Sequence, residues 1–323
     1  MPVPPKGSTI LVTGASGYIG CHTVGTLLDA GYRVRVTTRS LPKAEYIRSL
    51  FPSHAGAIEH AIVEEMTAPG AYDDAVASVS GVVHLASAIH IADSTLPADA
   101  VTEAVAGVTN LLEALSRSPG TVARVVQMSL KLCDELGAAT PAADKYAAQK
   151  TRAEQAFWAS FEQAQPTPKW DGVALNPGFC LGPPTLYGGG LDGSSLYVLK
   201  PFLRTSTPAE LDEAIGNFVD VRDVALAVLR ALETPSAGGE RYLLSNGPLF
   251  GNDIAVAAAR AFSPEEAARR ALTTPHDAAW RTRRLKSAVV TDGSKAARQL
   301  GIRYRSLQES LADTFAVVLK DEL

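Results

Sequence analysis

The first apolar stretch of the chain, Thr9-Ile-Leu-Val-Thr13, is short, β-branched and uninterrupted, the pattern of a buried parallel strand. A helical pattern follows from Tyr18 to Ala30 and stops at Gly31, a common C-terminal helix signal. Strand-like and helix-like segments then alternate. Strands are expected at Arg33–Thr38, Ile58–Val63, Val82–Leu85, Arg124–Met128 and Gly172–Leu175. Helices are expected near Pro42–Phe51, Ala71–Ser80, Ala98–Ser116 and Ala143–Gln163. Alternation of this kind with short connections builds an α/β fold, a doubly wound parallel sheet of Rossmann type with helices on both faces.

The pattern changes at Asn176. Residues 177–217 are rich in Pro and Gly, including Pro183-Pro184 and Gly188-Gly189-Gly190, and read as a long loop-rich excursion of the functional kind. Sheet-type sequence returns at Asn217–Val221, followed by a helix at Asp223–Glu233 and a strand at Arg241–Leu244. The remainder, from about Gly247, is mainly helical in pattern. The expected division is a dinucleotide-binding domain of residues 1–176 plus about 217–246, and a smaller substrate-binding domain of about 177–216 plus 247–323. Ligands of such sheets bind beyond the C-terminal strand ends, so the cleft between the two parts is the expected active site.

Between the first strand and first helix, Gly14, Gly17 and Gly20 recur at three-residue spacing. Gly14 allows the sharp turn off the strand, Gly17 lets backbone approach a pyrophosphate, and Gly20 lets helix and strand pack closely. The helix N-terminus then presents unpaired N–H groups to the phosphates. A glycine triplet placed strand–loop–helix in this way signals dinucleotide binding.

Charge and composition narrow the partners. The 323 residues carry a formal charge of −4 and 46% hydrophobic residues, with no basic stripe to neutralise nucleic-acid phosphates. No apolar run approaches membrane-span length, so neither nucleic acid nor membrane is an expected partner. Cys21, Cys133 and Cys180 are widely separated and read as reduced thiols. The leader Met-Pro-Val-Pro-Pro-Lys-Gly lacks the apolar core of a signal peptide, which points to the cytoplasm. Lys320-Asp-Glu-Leu323 spells an ER-retention address, but reads here as the end of an amphipathic helix carrying Leu307, Leu311, Phe315, Val318 and Leu319. A metal site is not expected, because His84 and His90 lack nearby acidic or cysteine ligands, and no G-x-S-x-G elbow supports hydrolase chemistry.

Five segments in order resemble the extended short-chain dehydrogenase/reductases, in particular the branch of dihydroflavonol reductases and NADPH-dependent methylglyoxal/carbonyl reductases. They are Thr13-Gly-Ala-Ser-Gly-Tyr-Ile-Gly20, Gly81-Val-Val-His-Leu-Ala-Ser87, Tyr146-Ala-Ala-Gln-Lys150, Asn176-Pro-Gly-Phe-Cys-Leu-Gly182 and Asp220-Val-Arg-Asp-Val224. The resemblance implies a cofactor site formed by Thr13, Gly14, Ser16, Gly17, Tyr18, Ile19 and Gly20 in the first loop, and by Glu65 and Met66 at the adenine. Leu85, Ala86 and Ser87 would border the ribose and nicotinamide side, with Pro177, Gly178 and Cys180 beside the carboxamide. NADP(H) is expected over NAD(H). The second strand ends Thr37-Thr38-Arg39 without the acid that would repel a 2′-phosphate, and Arg39 and Lys43 supply two cations for it.

Tyr146 and Lys150 are the expected catalytic pair. At i and i+4 they share a helix face, so phenol and ammonium can both enter the cleft, and a nearby ammonium should draw the phenol pKa down. The resemblance also implies a catalytic serine at the end of the fifth strand, where this chain departs from the pattern. Val125-Val-Gln-Met-Ser-Leu-Lys131 puts Leu130 at that position and Ser129 one place earlier, facing the opposite way unless a bulge re-aims it. Only 16 residues separate Leu130 from Tyr146, shorter than the family habit. Ile89, Leu130, Phe179, Tyr187, Leu196 and Tyr197 are the substrate-pocket candidates, and their apolar or aromatic character suits a hydrophobic substrate. The expected activity is NADPH-dependent reduction of a small-molecule ketone or aldehyde by a monomer or homodimer. A redox-neutral isomerase, epimerase or dehydratase, or a non-catalytic NADP-binding protein, are the alternatives on the same scaffold.

Overall fold

A computed structural model describes residues 3–86, 100–118, 120–129, 142–163, 170–184, 191, 194–204, 206–270, 272 and 276–322. Within these, the first half runs β1 (Thr9–Thr13), α1 (Tyr18–Asp29), β2 (Arg33–Thr38), α2 (Leu41–Leu50), β3 (Ile58–Ile62), β4 (Gly81–His84), α3 (Ala100–Arg117), β5 (Arg124–Met128), α4 (Ala142–Gln163) and β6 (Asp171–Pro177). The second half runs β7 (Phe179–Leu181), α5 (Pro208–Asp212), β8 (Ala214–Asp220), α6 (Val221–Glu233), β9 (Arg241–Leu244), β10 (Pro248–Phe250), α7 (Gly251–Ala261), α8 (Pro264–Arg269), α9 (Ala278–Leu285), α10 (Ser294–Leu300) and α11 (Leu307–Glu322).

Seven strands form a parallel sheet in the order β3-β2-β1-β4-β5-β6-β9. The order reverses between β1 and β4, the crevice where such sheets bind dinucleotides. Alternation along each strand sorts the core into two layers. Val12, Val83, Val126, Val173 and Leu175 face one side, with α1 and α6. Leu11, Val82 and Val125 face the other, with Leu111 and Leu115 of α3 and Phe157 of α4. Three further strands form a second sheet in the order β10-β8-β7.

Two expectations need correction. No helix forms over 71–80; the segment is a series of turns, bounded by positive φ at Gly70 and Ser78. Its apolar positions Tyr72, Ala75, Val76 and Val79 are nonetheless buried, so the periodicity was a true signal of burial and not of helix. Residues 177–217 are also more structured than a loop, containing β7, a 3-10 helix over Ser195–Leu203, α5 and the start of β8. Strand β8 joins the small sheet, pairing β7 in parallel and β10 antiparallel, whereas β9 completes the large one.

The small sheet is tied to α11 through polar groups, several of them fully buried. The Gly182 N–H after β7 donates to Thr314 Oγ1 of α11 at 2.9 Å, and Ser310 Oγ donates to Asp220 Oδ2 at 2.8 Å. Arg222 forks onto Asp220 and reaches Asp313 at 2.7 Å. On α11, Leu311, Phe315, Val318 and Leu319 are buried, as the amphipathic reading expects. At the opposite end of the sheet the fully buried Arg124 grips Asp171 through two bonds of 2.6 and 2.7 Å, and donates to the Ala231 carbonyl. Among the described residues no helix is long and apolar enough to cross a membrane.

Candidate active site

The glycine loop leaves β1 at Gly14, whose φ of +67° is the left-handed region that glycine tolerates. A Cβ there would lie 2.8 Å from the Ala86 nitrogen, so loop and β4 end approach as closely as backbone permits. A Cβ on Gly20 would collide with the Gly14 carbonyl, which is why α1 can pack directly under the turn. Nothing but the Gly14 carbonyl, at 3.4 Å, lies near a Cβ built on Gly17, and Ser16 and Ile19 are half-buried beside it. Tyr18 is buried, and its hydroxyl donates to the Gly182 carbonyl at 2.7 Å. Its backbone is therefore the part available to a phosphate.

At the end of β2, Arg39 and Lys43 are exposed, and neither enters an ion pair among the described residues. Glu65 is pinned in its own turn, accepting from the Thr67 N–H at 3.0 Å and hydroxyl at 2.7 Å. These bonds, with the charge of Arg39, hold its carboxyl below the usual range. Met66 packs against Gly107 of α3, and Asn110 donates to the Met66 and Ala68 carbonyls at 3.1 Å each. A loop closed to side chains at Gly14 and Gly20 and open at Gly17, and two exposed cations outside any ion pair among the described residues at the end of β2, fit NADP(H).

On α4, Tyr146 and Lys150 share a face at the C-terminal strand ends. Burial pushes the Tyr146 phenol up to about 12, with Cys180 close enough to add to the effect. Burial also brings the Lys150 ammonium down to about 8. The direction at Tyr146 is opposite to the expected one. Desolvation sets the direction, so the phenol keeps its proton and is a donor at neutral pH.

Ser129 is buried against α4. Its Oγ lies 3.2 Å from the Lys150 carbonyl and beside the Glu154 carboxylate, two acceptors on α4 for its single hydrogen. Glu154 was missed in the sequence, although its place four residues after Lys150 is the signal that would have found it. It accepts from Arg241 at 2.5 and 3.1 Å, from Asn176 at 3.0 Å and from Trp158 at 3.2 Å. Those donors hold the carboxyl below its ordinary pKa despite burial. The cluster joins Ser129 after β5, Asn176 of β6 and Arg241 of β9 to α4, one turn beyond Lys150.

Pro177 ends β6 and is buried, while Gly178 packs on the Asn217 carbonyl too tightly for any side chain. Cys180 is buried, its thiol donating to the Gly178 carbonyl at 3.6 Å. Leu85 and Ala86 are half-buried at the end of β4. Of the substrate-pocket candidates, Phe179 is half-buried against Gly216, and Tyr197 is 36% exposed. Leu196 is wholly inside the core and presents no surface to a ligand, a correction to its place in the list of candidates. Ser87, Ile89, Leu130 and Tyr187 lie outside the described residues, as does Cys133.

Comparison with known proteins agrees with this geometry. The profile of the NAD dependent epimerase/dehydratase family matches residues 10–245. Ketoreductase azaE of Aspergillus niger is 30% identical, across 96% of this chain and 97% of its own. Aldehyde reductase 2 of Sporidiobolus salmonicolor is 28% identical, with 96% of both chains covered. Among solved structures, Gre2 from Candida albicans in complex with NADPH superposes with a TM-score of 0.85 at 24% identity, covering 99% of this chain and 100% of that one. The chain belongs to the NAD dependent epimerase/dehydratase family, the extended short-chain dehydrogenase/reductases.

Proposed function

We propose that the protein is an NADPH-dependent reductase of ketones or aldehydes carried on hydrophobic small molecules, an oxidoreductase of the extended short-chain type. The observation that carries this reading is the half-buried Tyr146, its phenol desolvated and protonated, on one helix face with Lys150 beside a dinucleotide crevice. Relatives named ketoreductase and aldehyde reductase along nearly their whole length support it.

In this reading the loop from Thr13 to Gly20 would hold the pyrophosphate, Arg39 and Lys43 the 2′-phosphate, and the turn at Glu65–Met66 the adenine. Leu85 and Ala86 would face the ribose, and Pro177, Gly178 and Cys180 the carboxamide. NADPH, when bound, supplies a hydride to the carbonyl carbon. The carbonyl π pair moves onto oxygen, and Tyr146 donates its phenolic proton there to give the alcohol. Lys150 stabilises the phenolate that remains. Ser129 stays with α4 and Glu154 rather than with the substrate oxygen. Phe179 and Tyr197 give the substrate an aromatic surface, consistent with a hydrophobic molecule. The division into a cofactor domain and a smaller substrate domain, action as a monomer or homodimer, and residence in the cytoplasm belong to the same proposal.

The test is NADPH consumption over a panel of ketones and aldehydes, with Tyr146→Phe as control. Turnover should fall by about 10²–10⁴ in the variant, the usual effect of losing a positioned general acid. Product without net NADPH loss would replace the reading with a redox-neutral one.

A further inference from the structure

His84 ends β4 in a wholly apolar strand, and nothing in the mechanism above uses it. It is 1% exposed, with its ring edge-on to Tyr72 at 6.3 Å. Its Nδ1 lies 2.8 Å from Thr13 Oγ1, the residue beside it in the β1–β4 ladder. The same threonine oxygen accepts from the Leu85 N–H at 3.2 Å and the Ala86 N–H at 3.1 Å.

Counting donors and acceptors assigns the protons. A hydroxyl has two lone pairs and one hydrogen. Both lone pairs of Thr13 Oγ1 are occupied by backbone N–H groups, so its hydrogen must go to His84 Nδ1. That nitrogen is therefore an unprotonated acceptor, and the ring is neutral with its proton on Nε2. An imidazolium would direct an N–H at an oxygen with no acceptor capacity left. Burial and the Lys150 ammonium push the ring the same way, down to about 3.

The arrangement has a purpose at the crevice. Strand β1 turns away at Gly14, so the N–H groups of residues 85 and 86 lose their ladder partner just where β4 meets the glycine loop. The Thr13 oxygen replaces that partner, and His84 holds the hydroxyl in the rotation that leaves both lone pairs facing the strand end. We propose that His84 is a cofactor-positioning residue, acting through Thr13 to set segment 85–86 against the glycine loop, and that it does so as a neutral ring protonated on Nε2. This rests on the reading of the crevice as an NADPH site.

Two measurements test it. The first is ¹⁵N NMR of the imidazoles in the cofactor-free protein, with His84 assigned by the loss of its signals in His84→Asn. The ring should show the Nε2–H tautomer and not titrate between about pH 5 and about pH 8, although an ordinary histidine would. An Nδ1–H tautomer, or titration in that range, overturns the inference without reference to any activity. The second is NADPH affinity by fluorescence titration of three variants. Asn places an acceptor where Nδ1 is, and His84→Asn should bind NADPH within about threefold of the native protein. Gln places its acceptor nearer Nε2 and Leu has none, so both should bind about tenfold more weakly, the worth of one lost hydrogen bond. Equal binding by the Asn, Gln and Leu variants overturns the positioning role. Failure of the native protein to bind NADPH would instead overturn the proposed function, and with it this role, while the NMR result would still decide the tautomer.

Discussion

Keeping an ammonium at position 150 should destabilise the protein, and Lys150→Met measures by how much. The lysine is 7% exposed, and burial brings its pKa from 10.5 to about 8. Each tenfold change in a proton equilibrium is about 1.36 kcal/mol, so the charged form costs up to about 3 kcal/mol at pH 7. Methionine keeps the unbranched shape and removes the charge, and should recover much of that cost. Unfolding entropy of about 2.1 cal/mol/K per residue over 323 residues is about 0.7 kcal/mol/K, which makes 3 kcal/mol an upward Tm shift of about 4 °C. The sign of the pH dependence follows from linkage. Between about pH 8 and 10.5 the unfolded chain binds the lysine proton and the folded chain does not, so stability rises with pH through that window. The native protein should therefore gain on Lys150→Met as pH rises, and the gap should close near pH 10.5. Tyr32 and Tyr72 also have raised pKa values, but they lie outside the Tyr146–Lys150 pair and are common to both proteins, and Tyr146→Phe in both backgrounds removes the neighbouring phenol from the comparison. The assay is thermal unfolding of both cofactor-free proteins at several pH values. A methionine variant less stable than the native protein at pH 7, or a gap that ignores pH, would refute the reasoning.

Three further outcomes can be checked directly. NADPH should bind about one to three decades tighter than NADH, since two cations meeting a 2′-phosphate are worth about 2–4 kcal/mol; calorimetry on Arg39→Ala should show that gap narrowing mainly through weaker NADPH binding. Ser129→Ala should reduce stability by about 1 kcal/mol in urea unfolding while leaving turnover within a few-fold, because its hydroxyl serves α4; a large loss of turnover with intact stability would return Ser129 to the catalytic set. Arg124→Met should cost about 3–5 kcal/mol by the same measurement, since Asp171 would keep a buried charge with its ion-pair partner gone.

How much of this was legible beforehand depends on the distance over which each feature is decided. The strands of the large sheet are readable because each is a local apolar or alternating run, and Arg124–Met128 and Arg241–Leu244 match to the residue. Strands β7 and β10 are three residues each, too short for a periodic signal, and they lie among prolines and glycines. The turn segment at 71–79 misled because buried positions at helical spacing can also be supplied by successive turns. Tyr146 and Lys150 stand out by their spacing together with their place after the fifth strand and downstream of the glycine loop, but the protonation of the phenol does not, since desolvation is a tertiary property. His84 looked like a packing residue because its partner is 71 positions away, and Glu154 went unnoticed because Arg241 is 87 positions away.

The bond from Gly182 to Thr314 spans 132 positions in the chain, and Asp220 reaches Ser310 over 90. This sets an order of events during synthesis. Residues through β9 can assemble the large sheet while translation is still under way, and domains do fold from the N-terminal side as they emerge. The end of β7, which follows the strand expected beside the nicotinamide, has no partner for its Gly182 N–H until α11 arrives. A chain interrupted between β9 and residue 314 would therefore carry the whole glycine loop, both cations and the Tyr146–Lys150 pair, and still lack the Thr314 hydroxyl that receives the Gly182 N–H.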